Sequence, residues 1–407
     1  MIGAVALLAA AALASPAAAA PQRGVVTVRT VKVADAGNAS VGIVPFTDAV
    51  YQSCADAPDV DPPCQEVGGV DYRYGIGELE VTVGQWVKFL NTVDPKGTDP
   101  YDLYDPTESA EAWPRFGQVE MNADAAAGKH YRAAFPEWKD KPYGFADFPR
   151  AARFANSLDN GRVIDKSVSS SGGYDFVKYK VRLGRQSGRG MYDVRDRPSG
   201  GATRSSVRGF VIPSQDEWMK AAYYDPSGGG TYSYWKYPTN PGVFGDGYAS
   251  APAQTTLDPG TGDVTNAATQ PLANYKATTP APNWCPAALD ADDCTETNPF
   301  GLPPQAYAEA YQGSVGTVGG AATRSPWGTL DQGGNAVEWT DTITPAPAGT
   351  SGPRVWRRLH GGVPNAPGYQ LWLSAIGLQP ENNRFYDLVY PWLGFRVGVV
   401  GNLKPGA

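Results

Sequence analysis

The sequence predicts a loop-rich α+β fold in a single domain, on three observations. Glycine and proline are abundant, at 48 and 36 of 407 residues, and they punctuate regular structure rather than extend it. Three stretches carry a capped helical pattern of apolar residues, and short strand-like runs lie near both ends of the chain. Hydrophobic residues make up 42% of the chain, with 11 Trp and 22 Tyr, too much apolar material for a disordered polymer.

In chain order, MIGAVALLAAAALASPAAAA is an apolar run ending in small residues, a pattern that predicts a signal peptide over residues 1–20 cleaved near Ala18 to Ala20, although no Lys or Arg precedes the run. Export to the periplasm, cell surface or medium is the expected localisation, with residues 21–407 as the mature domain. No other stretch reaches the roughly 18 apolar residues of a membrane span. VVTVRTVKVADAGN reads as a strand leading into a turn. Thr82 then caps a helix whose Trp86, Phe89, Leu90 and Val93 share one face. Asp147 caps a second, with Ala151, Phe154 and Leu158 turned inward. In IPSQDEWMKAAYYDP, Ser214 and Glu217 form a capping box, Trp218, Ala221 and Ala222 give the inner face, and Pro226 ends the helix. From about Thr231 to Arg324, Gly, Pro, Thr and Asn dominate and periodicity is lost, which predicts a long ordered loop. LDQGGNAVEWTDT, RVWRRLHGG and WLGFRVGVV read as closing strands and turns.

The net charge of -7 and a pI near 5.0, with no basic run, exclude an ordinary nucleic-acid-binding surface. Four cysteines form two local pairs, Cys54 with Cys64 and Cys285 with Cys294, each ten residues apart, and in an exported chain these predict disulfides. Nucleophile motifs are missing: there is no G-x-S-x-G, and only His130 and His360 are available to a triad. The acidic pairs Asp292–Asp293 and Glu78/Glu80 read as solvated surface groups.

Tyr74-Gly-Ile-Gly-Glu-Leu-Glu-Val-Thr-Val, the Asp147 to Leu158 segment, Ile212-Pro-Ser-Gln-Asp-Glu-Trp, Asp331-Gln-Gly-Gly-Asn-Ala-Val-Glu-Trp, Arg358-Leu-His-Gly-Gly and Gly394-Phe-Arg-Val follow one another in order. Together they resemble the sulfatase-modifying-factor, or formylglycine-generating enzyme, family over roughly residues 25 to 400, and most closely its secreted bacterial branch. The resemblance implies a C-type-lectin-like α+β fold around a small twisted antiparallel sheet. It also implies a calcium ion held by the Asp331 side chain, the Gly334 and Ala336 carbonyls and the Glu338 carboxylate. Oxygen donors on a Gly-rich turn suit Ca²⁺, because carbonyls can converge there without side-chain obstruction. A second calcium site would use Asn274 and the Tyr275 carbonyl.

The family's oxidases activate oxygen on Cu(I) held by two cysteines shortly after the penultimate Gly-Gly, and soft thiolates are what Cu(I) requires. Here Leu371 and Ile376 align with those positions, so no catalytic residue and no copper is expected. The iron centre of another branch needs several converging imidazoles, and His360 instead reads as a packed or hydrogen-bonded surface residue. The resulting expectation is a binding or structural module stabilised by calcium. Its alternatives are a metal-dependent oxidoreductase of the same family and a surface-assembly protein. Ligand-binding candidates are Tyr369, Trp372, Asn382, Asn383, Arg384 and Tyr386, with Tyr390 and Trp392 beside them; aromatic and amide side chains suit a peptide, a glycan or a surface protein. Oligomeric state is not encoded in any pattern visible here.

Overall fold

A computed structural model describes residues 24–111, 117–195, 201–247, 249–255, 265–266, 271–273, 275, 323–347, 354–362, 368–381 and 392–403. The opening strand β1 (Val25–Val33) alternates buried Val26, Val28 and Val33 with exposed neighbours. It lies between β2 (Tyr74–Gly77) and a long hairpin made of β3 (Arg162–Ser171) and β4 (Tyr174–Arg182). With β5 (Gly209–Val211) and the last strand, residues 398–400, these form a six-stranded antiparallel sheet; from its 209–211 edge the order runs through 398–400, β2, β1 and β4 to β3.

Three helices pack against this frame where the caps predict them. In α1 (Val83–Val93), Thr82 Oγ1 accepts from the Gln85 amide at 3.2 Å and Gln85 returns the bond to the Thr82 amide at 2.9 Å, which satisfies two N–H groups the helix cannot. Its Trp86, Phe89 and Leu90 are fully buried, and Trp86 stacks on Tyr143 with ring centroids 4.3 Å apart. Each such side chain contributes roughly 1.5–3 kcal/mol of transfer free energy. α2 (Phe148–Asp159) is capped by Asp147 and buried on every side from Phe148 to Leu158. An encircled helix must satisfy its polar groups internally, and Asn156 does so by donating to the Ser187 and Tyr192 carbonyls, both at 2.8 Å. α3 (Gln215–Tyr223) carries the predicted Ser214/Glu217 box and ends before Asp225-Pro226.

A second, four-stranded sheet contains β6 (Val337–Thr344) and β7 (Trp356–His360), ordered with strands 377–380 and 393–394 as 377–380, β7, β6, 393–394. Its 393–394 strand runs parallel to β6, and the chain then crosses to the six-stranded sheet. This crossing brings the turn before β6 against the connection from β2 to α1. A three-stranded sheet of residues 41–43, 50–51 and 65–67 carries the Cys54–Cys64 disulfide on its connecting loop. Cys285, Cys294 and most of the 231–324 loop beyond residue 255 lie outside the described residues. Among the described residues no helix is long and apolar enough to cross a membrane.

Candidate metal centre

The connection between β2 and α1 is Glu78-Leu79-Glu80-Val81, and its backbone is bound on two sides. The Gly77 and Val81 amides donate to the Val397 and Phe395 carbonyls at 2.7 and 2.9 Å, and the Glu78 amide donates to Arg29 at 2.9 Å. The sequence places Glu78 and Glu80 on the solvated surface; the structure buries them at 4% and 2% exposure, because this segment is laid between β1 and the 395–397 segment.

From the other side comes the turn Asp331–Ala336. Asp331 and Asn335 both have left-handed backbones, with φ of 58° and 63°, a conformation Asp and Asn tolerate better than other side chains. The Leu330 amide donates to the Glu78 carbonyl at 2.8 Å, and Asn335 Nδ2 donates to Glu80 Oε1 at 3.2 Å. The Gly334 amide donates to the Gly361 carbonyl at 2.6 Å. At Gly361, with φ of 104°, a β-carbon would come within 3.0 Å of the Ala336 carbonyl oxygen, so only glycine fits between β7 and the turn.

Arg396 fills the floor of this site. Its Nε and Nη2 donate to Glu338 Oε2 and Oε1, both at 2.6 Å, while Nη1 donates to the Gly77 carbonyl at 2.8 Å and Nη2 also reaches the Leu330 carbonyl at 3.1 Å. Trp218 Nε1 adds a third bond to the Glu338 carboxylate, at 2.9 Å. Both charges are fully buried, and the paired fork geometry is what offsets their desolvation. Glu78 is likewise matched, by Arg29 at 2.5 Å and Arg324 at 2.8 Å.

Two carboxylates are left without such a partner. Glu80 Oε2 and Asp331 Oδ2 are buried and accept no hydrogen bond. Burial, followed by the charge of Asp331, pushes the Glu80 carboxyl well above its ordinary range, and burial lifts Asp331 to about 7. A cavity of about 100 Å³ borders Glu80 and is lined also by Glu78, Thr82 and Gln85, with room for a few waters.

The donor set suits a hard divalent cation: buried carboxylate oxygens that accept no hydrogen bond, a side-chain amide and the backbone carbonyls of a Gly-rich turn, all oxygen-bearing groups. Among the described residues no three His, Cys, Asp or Glu side chains converge to hold a metal by themselves, so carbonyls such as those of Gly334 and Ala336 have to complete any coordination shell. Of the second expected site, Asn274 lies outside the described residues, while Tyr275 is buried and donates its hydroxyl to the Pro252 carbonyl at 2.7 Å.

At the two positions expected to align with the family's copper ligands the structure places hydrocarbon. Leu371 and Ile376 are 1% and 2% exposed, Leu371 packing with Tyr237 and Tyr275, Ile376 with Trp218 and Leu373. Neither side chain carries a donor atom, and the described cysteines, Cys54 and Cys64, are consumed in their disulfide. His360, expected as a packed or surface residue, is packed: it stacks on Trp218 at 5.0 Å, and burial holds its imidazole down to about 3. His130 is also buried, with Nδ1 2.9 Å from the Asn122 carbonyl.

Of the ligand-binding candidates, Asn382, Asn383, Arg384, Tyr386 and Tyr390 lie outside the described residues, as do Asp292 and Asp293. Tyr369 sits in the short turn Gly368–Leu371, and Trp392 is half-buried. Trp372 is turned inward, its indole N–H donating to the Tyr237 hydroxyl at 3.0 Å and its ring facing the Lys236 ammonium at 5.1 Å. Sequence reasoning missed Glu80 and Arg396 as members of the centre. The two-residue spacing of Glu78 and Glu80 just before a helix cap, and the Arg inside an otherwise apolar closing strand, are the signals that point to them.

Residues 18–363 match the family model described as a sulfatase-modifying factor enzyme 1-like domain. Among solved structures the chain is similar to Treponema denticola variable protein 1, at 15% identity and a TM-score of 0.41 over 91% of this chain and 95% of that one. It is similar also to CarF, at 12% identity and a TM-score of 0.35 over 93% and 99% of the two chains. No curated protein matches it.

Proposed function

The chain belongs to the sulfatase-modifying factor enzyme 1-like family, and from that membership we propose that it is an exported, non-copper member whose scaffold, stabilised by calcium, serves as a binding or structural module. The observation that carries this reading is the pair Leu371 and Ile376, buried apolar side chains at the positions that align with the family's copper-binding thiolates. Hydrocarbon cannot ligate Cu(I), so oxygen activation of the family type has no ligand pair here.

Calcium is supported by the turn 331–338. Asp331 and the Gly334 and Ala336 carbonyls hold the ion, with Glu338 fixed beneath them by Arg396. When bound, the ion supplies positive charge between buried carboxylates and so ties the turn to the β2–α1 connection. Export is supported by the apolar run over residues 1–20 and by the Cys54–Cys64 disulfide, which persists in oxidising compartments. For recognition of a peptide, glycan or surface protein, the sequence offers the aromatic and amide side chains of Tyr369, Asn382, Asn383, Arg384 and Tyr386, whereas Trp372 is taken up in the interior.

The test is elemental analysis of protein purified from an oxidising compartment, quantifying Ca, Cu and Fe together, alongside Asp331→Ala/Glu338→Ala. Stoichiometric calcium that the double variant loses, without copper or iron, is the expected result. Stoichiometric copper, with oxygen consumption on thiol-containing peptides, returns the protein to the oxidoreductases. Calcium-dependent growth in light scattering identifies a surface-assembly protein instead.

A further inference from the structure

We infer that Glu80 is an acidic ligand of the divalent cation held at the 331–338 turn, facing Asp331 across the site, and that Glu338 is the turn's anchor on Arg396 rather than its ligand. The inference rests on the calcium reading above and specifies which side chains neutralise the ion.

The first argument is charge. Three carboxylates, Glu80, Asp331 and Glu338, lie near enough to act on one another, and Glu78 stands in the same connection as Glu80. Glu78 is held by Arg29 and Arg324, and Glu338 by both arms of Arg396. Glu80 and Asp331 remain, two negative charges in a buried site, which is the charge of one divalent cation. Burying two such charges uncompensated is costly, and each group leaves one carboxylate oxygen without a hydrogen-bond donor.

The second argument is available lone pairs. The Glu338 carboxylate already accepts three hydrogen bonds, two from Arg396 and one from Trp218, out of about four sites that a carboxylate offers. Glu80 spends Oε1 on Asn335 and leaves Oε2 with no partner, although the residue is 2% exposed. Asp331 Oδ2 is in the same state. Buried oxygens of this kind are rare unless something absent from the polypeptide accepts them.

The third argument is position. Glu80 and the turn are held together by the Leu330 amide on the Glu78 carbonyl, by Asn335 on Glu80 itself and by Arg396, which bridges the Gly77 and Leu330 carbonyls. A cation between Glu80 and Asp331 therefore staples the start of α1 to the start of β6.

Calcium binding by isothermal titration and the calcium-induced rise in melting temperature, measured on the mature chain, test the assignment in wild type, Glu80→Gln and Asp331→Asn. Glu80→Gln is expected to weaken calcium affinity at least about tenfold and to abolish the calcium-induced rise. Without calcium it melts no lower than wild type, because an amide removes a charge that burial disfavours. A purely structural Glu80 gives the opposite pattern: the variant melts lower with and without calcium, and affinity is unchanged. Affinity unchanged in Glu80→Gln but lost in Asp331→Asn overturns this inference and leaves the calcium reading intact. Wild type that binds no calcium overturns both. Should Glu80→Gln fail to fold by near-UV circular dichroism, Glu80→Asp, which keeps the charge and withdraws it by one methylene, is measured in its place. The same loss of affinity is expected, and wild-type affinity overturns the assignment.

Discussion

Glu108 shows how a single buried acid sets a pH response in this fold. It is fully buried against Arg150, whose Nη1 lies 3.2 Å from Oε1, and the Tyr143 hydroxyl donates to the same oxygen at 3.0 Å, while Oε2 has no partner. Burial outweighs the attraction of Arg150 and pushes the carboxyl from 4.5 up to about 8. An acid whose folded pKa lies above its unfolded one holds a proton in the fold that the unfolded chain has released. Its contribution to stability is complete below about 4.5 and is lost as pH rises through about 8. Denaturant titrations across that window are expected to show stability falling with pH, by at most ~1.4 kcal/mol per unit from this group. Glu108→Gln should flatten that part of the profile; a profile unchanged in the variant would assign the slope to other groups. Residues of this kind are poorly legible in sequence. Glu78, Glu80 and Glu108 look like ordinary surface acids until the chain brings arginines and backbone around them, because burial is a property of the contact and not of the residue type.

At the scale of elements, what the sequence declares best is what local chemistry decides. Among the described residues α1, α2 and α3 each begin at the residue whose side chain can accept from the first turn: Thr82, Asp147 and Ser214. Ser214→Ala removes the acceptor for the Glu217 amide and is expected to cost about 1 kcal/mol in denaturant unfolding. Ser214→Asp should recover most of it, and a loss that Asp does not restore would show that the hydroxyl is not acting as a cap. The β3–β4 hairpin is the opposite case. Its outer strand is almost wholly exposed and ends in Ser169-Ser170-Ser171, so no apolar alternation marks it. The usable signal is Gly172-Gly173, both with positive φ, which forms the tight turn a twisted hairpin prefers. The site is divided in the same way. The Gly-rich turn 331–336 is visible as a motif, whereas its second half, Glu80 and Arg396, depends on two sheets meeting through residues far apart in sequence.

Across the whole molecule, stability rests on a large core shared by α1, α2 and the six-stranded sheet, with the 41–67 region attached as a smaller unit around Val41, Ile43 and Val67, which pack on Trp218 and Tyr223. A peripheral sheet of strands two or three residues long buries little by itself, and the Cys54–Cys64 bridge restrains its connecting loop. Closing a loop of ten residues stabilises the fold by roughly 2.5 to 3 kcal/mol on the chain-entropy estimate. The double variant Cys54→Ser/Cys64→Ser is therefore expected to lose up to about that much in denaturant unfolding, and to become open to proteolysis between residues 44 and 64. Because the shared core does not pass through the bridge, the helices and the six-stranded sheet should keep their circular-dichroism signature. Protein made in a reducing compartment should match the variant and recover wild-type stability on oxidation. Equal stability of the reduced and oxidised forms would mean that packing on Trp218 and Tyr223 alone holds this unit in place.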